Sequence, residues 1–590
     1  MPTLQPCAPP LTCESKTAEQ ADGQRADKGF RTTTQLEGGH NMTGATTSLA
    51  SGSISRRDAL LAGGALTAGA AFLQPRAAQA SETEATFSWD IEADVVVIGG
   101  GTGAYTALRA QTSGLDTVLL EKTGSCGGST LFSSSVVWAP ANDVMAANGD
   151  EDSREEALAY IQAGSGDTYL PALAEAYVDN VNTAVRNVTD LAGIEWAYWV
   201  GGIDYRPELE GGKTMGRSLV PVVESGSTAA VLANALIEAA EAAGVRIMVS
   251  TPAKSLVSRE TENGIEVLGV RAEGPDGKIS VKARVAVVMA CGGFDANDEM
   301  MASYLRCPVH YTWGGPYSTG DGQKMAMRVG ADMRFMNDAW MSPGYVVERE
   351  AYKESGAAAF SSAITDYGKP GLIYVNKHGE RFVNECANYD SIGRAFISYE
   401  SGIEPRGWRN LPAFAVCDQA CVDAYALNGG TQGDPGASFA RYDTLEELAE
   451  ACGIDKEALI ATVEAFNENA AQGLDPDFGR GQDYFGQNYQ RVDMEKDGAF
   501  RTLAPLATPP YWAAELAPTI LGTMGGVKID EHARALDTDG NVIARLYAHG
   551  NCAGHGCGGA FYAGGGGTLG PSLTFGELAA EDFLQLDAWK

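Results

Sequence analysis

The chain has 590 residues, 44% of them hydrophobic and 20% charged. That balance supports two or three domains with a large core and excludes a disordered or fibrous protein. Acidic residues outnumber basic ones 76 to 43, a formal net charge of -33, which argues against a nucleic-acid or anionic-membrane binder, since either needs a basic face.

In chain order, residues 1–80 read as targeting rather than fold. Ser55-Arg56-Arg57-Asp58 opens a twin-arginine pattern, a short apolar run covers 59–73, and Ala78-Gln79-Ala80 is a cleavage signal. The run is too short and too rich in glycine and alanine to span a membrane. The expectation is export of the folded chain by the twin-arginine route to the periplasm or cell envelope. Met42 is the start that gives a signal of ordinary length, and no integral membrane segment remains after cleavage.

Residues 95–98 are continuously apolar, which predicts a strand buried on both faces. Glycines follow, residues 104–112 have helical composition, and Thr117–Leu120 is a second buried strand ending at Glu121. Gly99-x-Gly101-x-x-Ala104 with an acid 20 residues beyond Gly101 is a dinucleotide-binding pattern. Gly99 makes the tight turn, Gly101 lets backbone approach a pyrophosphate, and Ala104 keeps helix close to strand. The helix N-terminus offers N–H groups and a positive dipole end to the phosphates, and Glu121 accepts from a ribose hydroxyl.

A second glycine turn with hydroxyls, Gly124-Ser125-Cys126-Gly127-Gly128-Ser129-Thr130, comes next. Much later, residues 285–290 predict another buried strand running into Gly292-Gly293, and Ser318-Thr319-Gly320-Asp321-Gly322 precedes a helix. Residues 444–451 and 456–471 are predicted helices. Near the C-terminus a short strand leads into Gly550-Asn551, and Gly570-Pro571-Ser572-Leu573 opens a final helix. The 11 cysteines and 6 histidines show no ligand spacing, so no metal site is expected and the cysteines read as mostly buried thiols.

Together these pieces resemble the FAD-dependent fumarate reductase/succinate dehydrogenase flavoprotein superfamily, over about Asp94 to Phe583. The resemblance implies an α/β fold: a discontinuous Rossmann-like FAD-binding domain (90–298 and 506–590) with an inserted α+β capping domain (299–505). It implies FAD held by Gly99, Gly101, Gly103, Ala104, Glu121, Lys122, Gly128, Ser129, Thr130, Gly293, Asp321, Gly550, Asn551, Ser572 and Leu573. No histidine stands beside the Ser129-Thr130 turn, where some relatives attach the cofactor covalently, so the FAD is expected to be non-covalent.

A fumarate-type site needs arginines to clamp two carboxylates, one of them in the C-terminal glycine-rich loop. No arginine occurs from Leu546 to the end, and Gly522 stands where such enzymes tend to carry histidine. Dicarboxylate reduction is therefore disfavoured. Instead, Tyr562-Ala563-Gly564-Gly565-Gly566 is similar to the Tyr-Pro-Gly-x-Gly loop of 3-ketosteroid Δ1-dehydrogenases, with Ala563 in place of proline. Asp204-Tyr205-Arg206-Pro207-Glu208 resembles their Tyr-x-Asp-Tyr-x-Pro-Glu segment without its first tyrosine. Arg381-Phe382-Val383-Asn384-Glu385 followed by Tyr389 resembles a third motif.

By that resemblance, Tyr562 O–H and Gly566 N–H bind the ketone oxygen as an oxyanion hole. Tyr389 removes the α proton, and Tyr205 hydrogen-bonds Tyr389. A phenol, with an ordinary pKa near 10, is a poor base unless a second phenol or a nearby positive charge helps it. The implied reaction introduces or reduces a C=C bond next to a ketone in a steroid-like substrate. The implied partners are a small apolar ketone or enone and an external electron acceptor or donor, a quinone or haem protein. Two alternatives stay open: an exported fumarate-reductase-type flavoprotein acting on another enone or unsaturated acid, fed by a separate haem protein, and a non-catalytic flavin carrier. The cap and the tyrosines speak against the carrier.

Overall fold

The computed structural model describes residues 88–199, 201–346, 363–402 and 406–589. The expected signal, with Arg56, Arg57 and Met42, lies outside the described residues.

The apolar runs form a mainly parallel sheet. Ile91–Ile98 pairs in parallel with Thr117–Leu120 on one side and Gly277–Met289 on the other. The strand order is Arg534–Leu536, Val542–Ala548, Gly264–Gly274, Gly277–Met289, Ile91–Ile98, Thr117–Leu120, Arg246–Met248. Val542–Ala548 also pairs in parallel with Gly277–Met289, Leu546 opposite Val287. The chain therefore leaves this layer and returns to it, and the glycine turns after Ile98, Met289 and Ala548 converge at the carboxyl edge of the sheet, where ligands of open α/β sheets bind.

The helix Gly103–Thr112 and the C-terminal helix Leu569–Phe583 are clamped together by one buried acid. Glu577 accepts from Arg109 Nε and Nη2, both at 2.7 Å, and from Tyr105 Oη at 2.5 Å. A bidentate arginine–carboxylate pair of this kind fixes orientation as well as distance.

The cap is built on an antiparallel sheet ordered Ala339–Tyr345, Tyr511–Thr523, Ala413–Asp418, Leu372–Asn376, with Ala440–Tyr442 also paired to Tyr511–Thr523. The sheet thus runs past the expected 299–505 range, because all the sheet partners of Tyr511–Thr523 are cap strands. The two predicted cap helices are present as Leu445–Cys452 and Lys456–Ala470, each started by a side-chain cap, Thr444 and Asp455. Their apolar faces, Leu448, Leu459, Val463 and Phe466, pack on Ile373, Val375 and Val416 of the sheet. A small third sheet, Val137–Trp138, Ser218–Pro221, Trp196–Tyr198, carries the loop that holds Tyr205. Among the described residues no helix is long and apolar enough to cross a membrane.

Candidate active site

Two constellations hold most of the expected site residues. The first is a long groove along the carboxyl edge of the parallel sheet. It is lined by Gly99, Gly101, Glu121, Lys122, Gly128, Ser129, Thr130, Asp321, Gly550, Asn551 and Ser572, all expected from the sequence. Gly99 has φ +105, and a Cβ there would meet Ala290 O at 2.5 Å, so only glycine fits this turn. Glu121 Oε2 accepts from Gly100 N at 2.9 Å, while Oε1 accepts from Thr123 N and Oγ1. Lys122 and Asp321, both in the expected set, pair with each other at 2.8 Å.

Four residues of the expected set do not line the groove. Gly103 packs instead: a Cβ there would lie 2.9 Å from Ala290 Cβ and 3.1 Å from Val97 Cγ1. It is therefore Gly103, one residue before Ala104, whose missing side chain lets the helix sit close to the strands. Ala104 and Leu573 are buried in the core behind the groove, and Gly293 sits against Thr523 Oγ1 of the cap sheet.

The groove fits an extended dinucleotide. Its lining joins Glu121 and Pro252 with Trp313, Leu521 and the start of the C-terminal helix. Thr102 Oγ1 and Ser572 Oγ are 2.6 Å apart, so the starts of the helices Gly103–Thr112 and Leu569–Phe583 lie together beside the groove, where their N–H groups would be available to phosphates. The nine cysteines of the described residues are free. Two of them, Cys291 and Cys552, lie with sulfurs 3.6 Å apart beside this groove.

The second constellation is a row of phenols. Tyr205 Oη donates to Tyr389 Oη at 2.6 Å, and Tyr389 Oη donates to Tyr562 Oη at 2.9 Å. All three are buried, in a setting of Ile203, Trp340, Ile392, Phe396, Phe485 and Met524. The pair that the sequence expected between Tyr205 and Tyr389 is present, and Tyr562 joins it.

Each phenol is positioned by polar groups outside the row. Tyr389 opens the helix Tyr389–Ala395, capped by Asn388, whose Oδ1 accepts from Ser391 N and whose Nδ2 donates to Tyr205 O at 3.0 Å. The Tyr205 loop is held through Asp204, which accepts from Trp138 Nε1, Lys213 N and Arg217 Nη1 at 2.8–2.9 Å. Ala563 O, next to Tyr562, accepts from Tyr205 N at 2.9 Å and Tyr160 Oη at 2.7 Å. Gly566, at φ +89, rests on Trp138, where a Cβ would meet the backbone N at 2.5 Å. Sequence reasoning passed over Asn388, Tyr160 and Arg217. Only the motif position of Asn388, just before Tyr389, offered a signal.

Burial pushes Tyr389, Tyr205 and Tyr562 above the ordinary phenol value, with neighbouring phenols adding to the rise at Tyr389 and Tyr205. The positive charge that would help Tyr389 is not among the groups that act most on it; of these only the hydrogen bond from Tyr205 lowers the phenol, while that to Tyr562 raises it. Burial likewise pushes the Asp204 carboxyl up to about 6, against the pull of Arg217. Arg217 bridges Asp152 and Asp204, and Arg394 bridges Asp390 and Asp338. The arginines nearest Tyr205 and Tyr389 in the chain, Arg206, Arg217 and Arg394, are thus all engaged by acids. What this arrangement can do is polarise a carbonyl with phenol donors and move a proton along a row of hydroxyls.

Comparison with known proteins agrees with the groove. Residues 94–569 match the FAD binding domain family. A 3-oxosteroid 1-dehydrogenase of Mycobacterium tuberculosis is 32% identical over 572 residues, covering 83% of this chain and 98% of that protein. A 4-oxocyclohexanecarboxylate 2-dehydrogenase of Sinomonas cyclohexanicum is 31% identical, covering 82% and 92%. The crystal structure of a 3-ketosteroid Δ1-dehydrogenase from Sterolibacterium denitrificans, in complex with 1,4-androstadiene-3,17-dione, superposes with a TM-score of 0.76 at 26% identity, covering 83% of this chain and 99% of that one. The chain belongs to the FAD binding domain family and is an FAD-dependent oxidoreductase close to the 3-oxosteroid 1-dehydrogenases.

Proposed function

We propose that this flavoprotein introduces or reduces a C=C bond next to the ketone of an uncharged, steroid-like substrate. Tyr562 O–H and Gly566 N–H hold the ketone oxygen, Tyr389 moves the α proton, and Tyr205 supports Tyr389. When bound, FAD supplies the acceptor or donor of the hydride at the β carbon. The observation that carries this reading is the buried Tyr205–Tyr389–Tyr562 row, at 2.6 and 2.9 Å, in an apolar setting. The relatives named above are called dehydrogenases of cyclic ketones, and one of those ketones bears a carboxylate. Here Arg217 and Arg394 are already engaged by acids, which favours the uncharged ketone.

The test is a screen of the FAD-loaded chain against 3-ketosteroids, cyclic keto acids and unsaturated acids, with a dye acceptor and a reduced dye as donor. Steroid ketones or enones are expected to turn over, with keto acids at least tenfold lower in kcat/KM. Turnover of unsaturated acids alone overturns the reading. The dye that works sets the direction, and a quinone or haem protein is the proposed natural partner. Export by the twin-arginine route is part of the same proposal: Arg56→Lys with Arg57→Lys is expected to retain folded, flavin-loaded protein in the cytoplasm, and normal export of that variant removes it.

A further inference from the structure

Two cysteines that the catalytic reading leaves unused face each other beside the FAD groove. Cys291 follows the strand Gly277–Met289 and lines the groove, and Cys552 ends the short turn Gly550–Cys552 that follows the strand Val542–Ala548. These two strands pair in parallel up to Met289 and Ala548, so their carboxyl ends deliver the two turns side by side. The sulfurs are 3.6 Å apart across 261 residues of chain, and both cysteines are free thiols.

The surroundings hold the pair in place. Gly322, in the first turn of the helix Asp321–Arg328, makes the room: a Cβ there would lie 2.4 Å from Cys552 Sγ and 2.5 Å from Cys291 Sγ. The next residue, the buried Gln323, ties the two turns together, its Nε2 donating to Gly292 O at 3.2 Å and to Asn551 O at 3.1 Å. Those acceptors belong to the residues immediately beside the two cysteines. To bond, the sulfurs need to approach by about 1.5 Å, a distance that side-chain rotation covers. Cys552 is fully buried, and its hydrogen bond with Cys291 and its burial push its thiol up. Cys291 is partly exposed in the groove, so it is the thiol that meets a reagent first.

We infer that Cys291 and Cys552 form a reversible disulfide that clamps the two turns lining the groove and slows the loss of FAD. The oxidant is a small-molecule disulfide. Cys291 gives up its proton and its thiolate attacks one sulfur of the reagent, whose S–S bond breaks. The first reagent thiolate leaves and takes a proton, and a mixed disulfide remains on Cys291. Cys552 then gives up its proton and attacks Cys291 Sγ; the second reagent thiolate leaves and takes a proton, and the Cys291–Cys552 bond is complete. Two protein thiols are oxidised, one reagent disulfide is reduced to two thiols, and the flavin takes no part. FAD leaves when these turns part, and a covalent bond between them suppresses that local opening.

The experiment treats the FAD-loaded enzyme with cystamine at mildly alkaline pH. Mass spectrometry of the unreduced digest maps the disulfides, and the fluorescence of free FAD follows flavin release on warming. Peptides joined through Cys291 and Cys552 are expected, with FAD release slowed about threefold relative to the same sample reduced with dithiothreitol. Cys552→Ser is expected to stop at a mixed disulfide on Cys291 and to show no slowing of release. Absence of the joined peptides from wild type, joined peptides with release unchanged, or a slowing that persists in Cys552→Ser overturns the inference. The wild-type peptide map and release rate decide the matter even where Cys552→Ser fails to fold.

Discussion

Replacing Tyr562 by phenylalanine removes one hydroxyl from the buried row and leaves its packing in place. The ring keeps its neighbours, Tyr205 at 5.1 Å and Trp340 at 6.1 Å between centroids. The resting structure loses a single hydrogen bond, from Tyr389 at 2.9 Å, which costs about 1 kcal/mol of stability. Tyr389 keeps its donor from Tyr205 at 2.6 Å. In the reaction the loss is larger. One of two proposed donors to the developing oxyanion disappears in a dry, preorganised site, which corresponds to roughly 10²–10³ in turnover, or about 2.7–4 kcal/mol. Because that donor acts most strongly on the charge of the transition state, kcat falls and KM moves little. The assay is steady-state, dye-coupled turnover of the ketone found in the screen, with the FAD absorbance spectrum as the check on loading. A fully loaded Tyr562→Phe enzyme with kcat within threefold of wild type refutes the placement of the ketone at Tyr562.

Tyr389→Phe is expected to abolish turnover while a steroid still perturbs the flavin spectrum, and Tyr205→Phe to give a smaller loss; if cap arginine replacements kill activity while the tyrosine variants stay near wild type, a fumarate-type site is indicated instead. FAD is expected in the supernatant after heat or acid denaturation, and flavin that remains with the denatured polypeptide, or that proves to be FMN, contradicts the groove assignment. Burial pushes His549 down to about 3 and His555 down to about 4. The unfolded chain therefore binds more protons below pH 6.5, and stability falls as pH drops from about 6.5 toward 4, by up to roughly 1.4 kcal/mol per pH unit for each histidine. Urea midpoints between pH 7.5 and 4.5 measure this, and His549→Gln, which gives up a 2.9 Å contact with Thr106 Oγ1, is expected to flatten the slope; an unchanged slope contradicts it.

What the sequence determined by itself was local. The glycines at 99 and 101, the apolar strands around them and the acid at 121 identify a dinucleotide turn because backbone sterics and strand burial act within some 25 residues. The two cap helices were also legible as local segments, and the structure adds their capping residues, Thr444 and Asp455. The tyrosine motifs named candidates, and the structure brought them within hydrogen-bond reach across 184 and 173 residues of chain.

Other features only the tertiary structure decided. Tyr511–Thr523 belongs to the cap sheet because its backbone partners lie there, and strand pairing at such separation leaves no local trace. Cys291 and Cys552 were two of 11 cysteines until folding set their sulfurs 3.6 Å apart. The close helix–strand contact also depends on Gly103, because a Cβ there would meet Val97 and Ala290, and only the way the helix lies on the strands shows that. Arg217 and Arg394 count as two positive charges in the sequence, but each is compensated by two acids, and only their geometry shows that. Turns, strands and caps follow from neighbours in the chain, whereas proton paths and charge balance follow from neighbours in space.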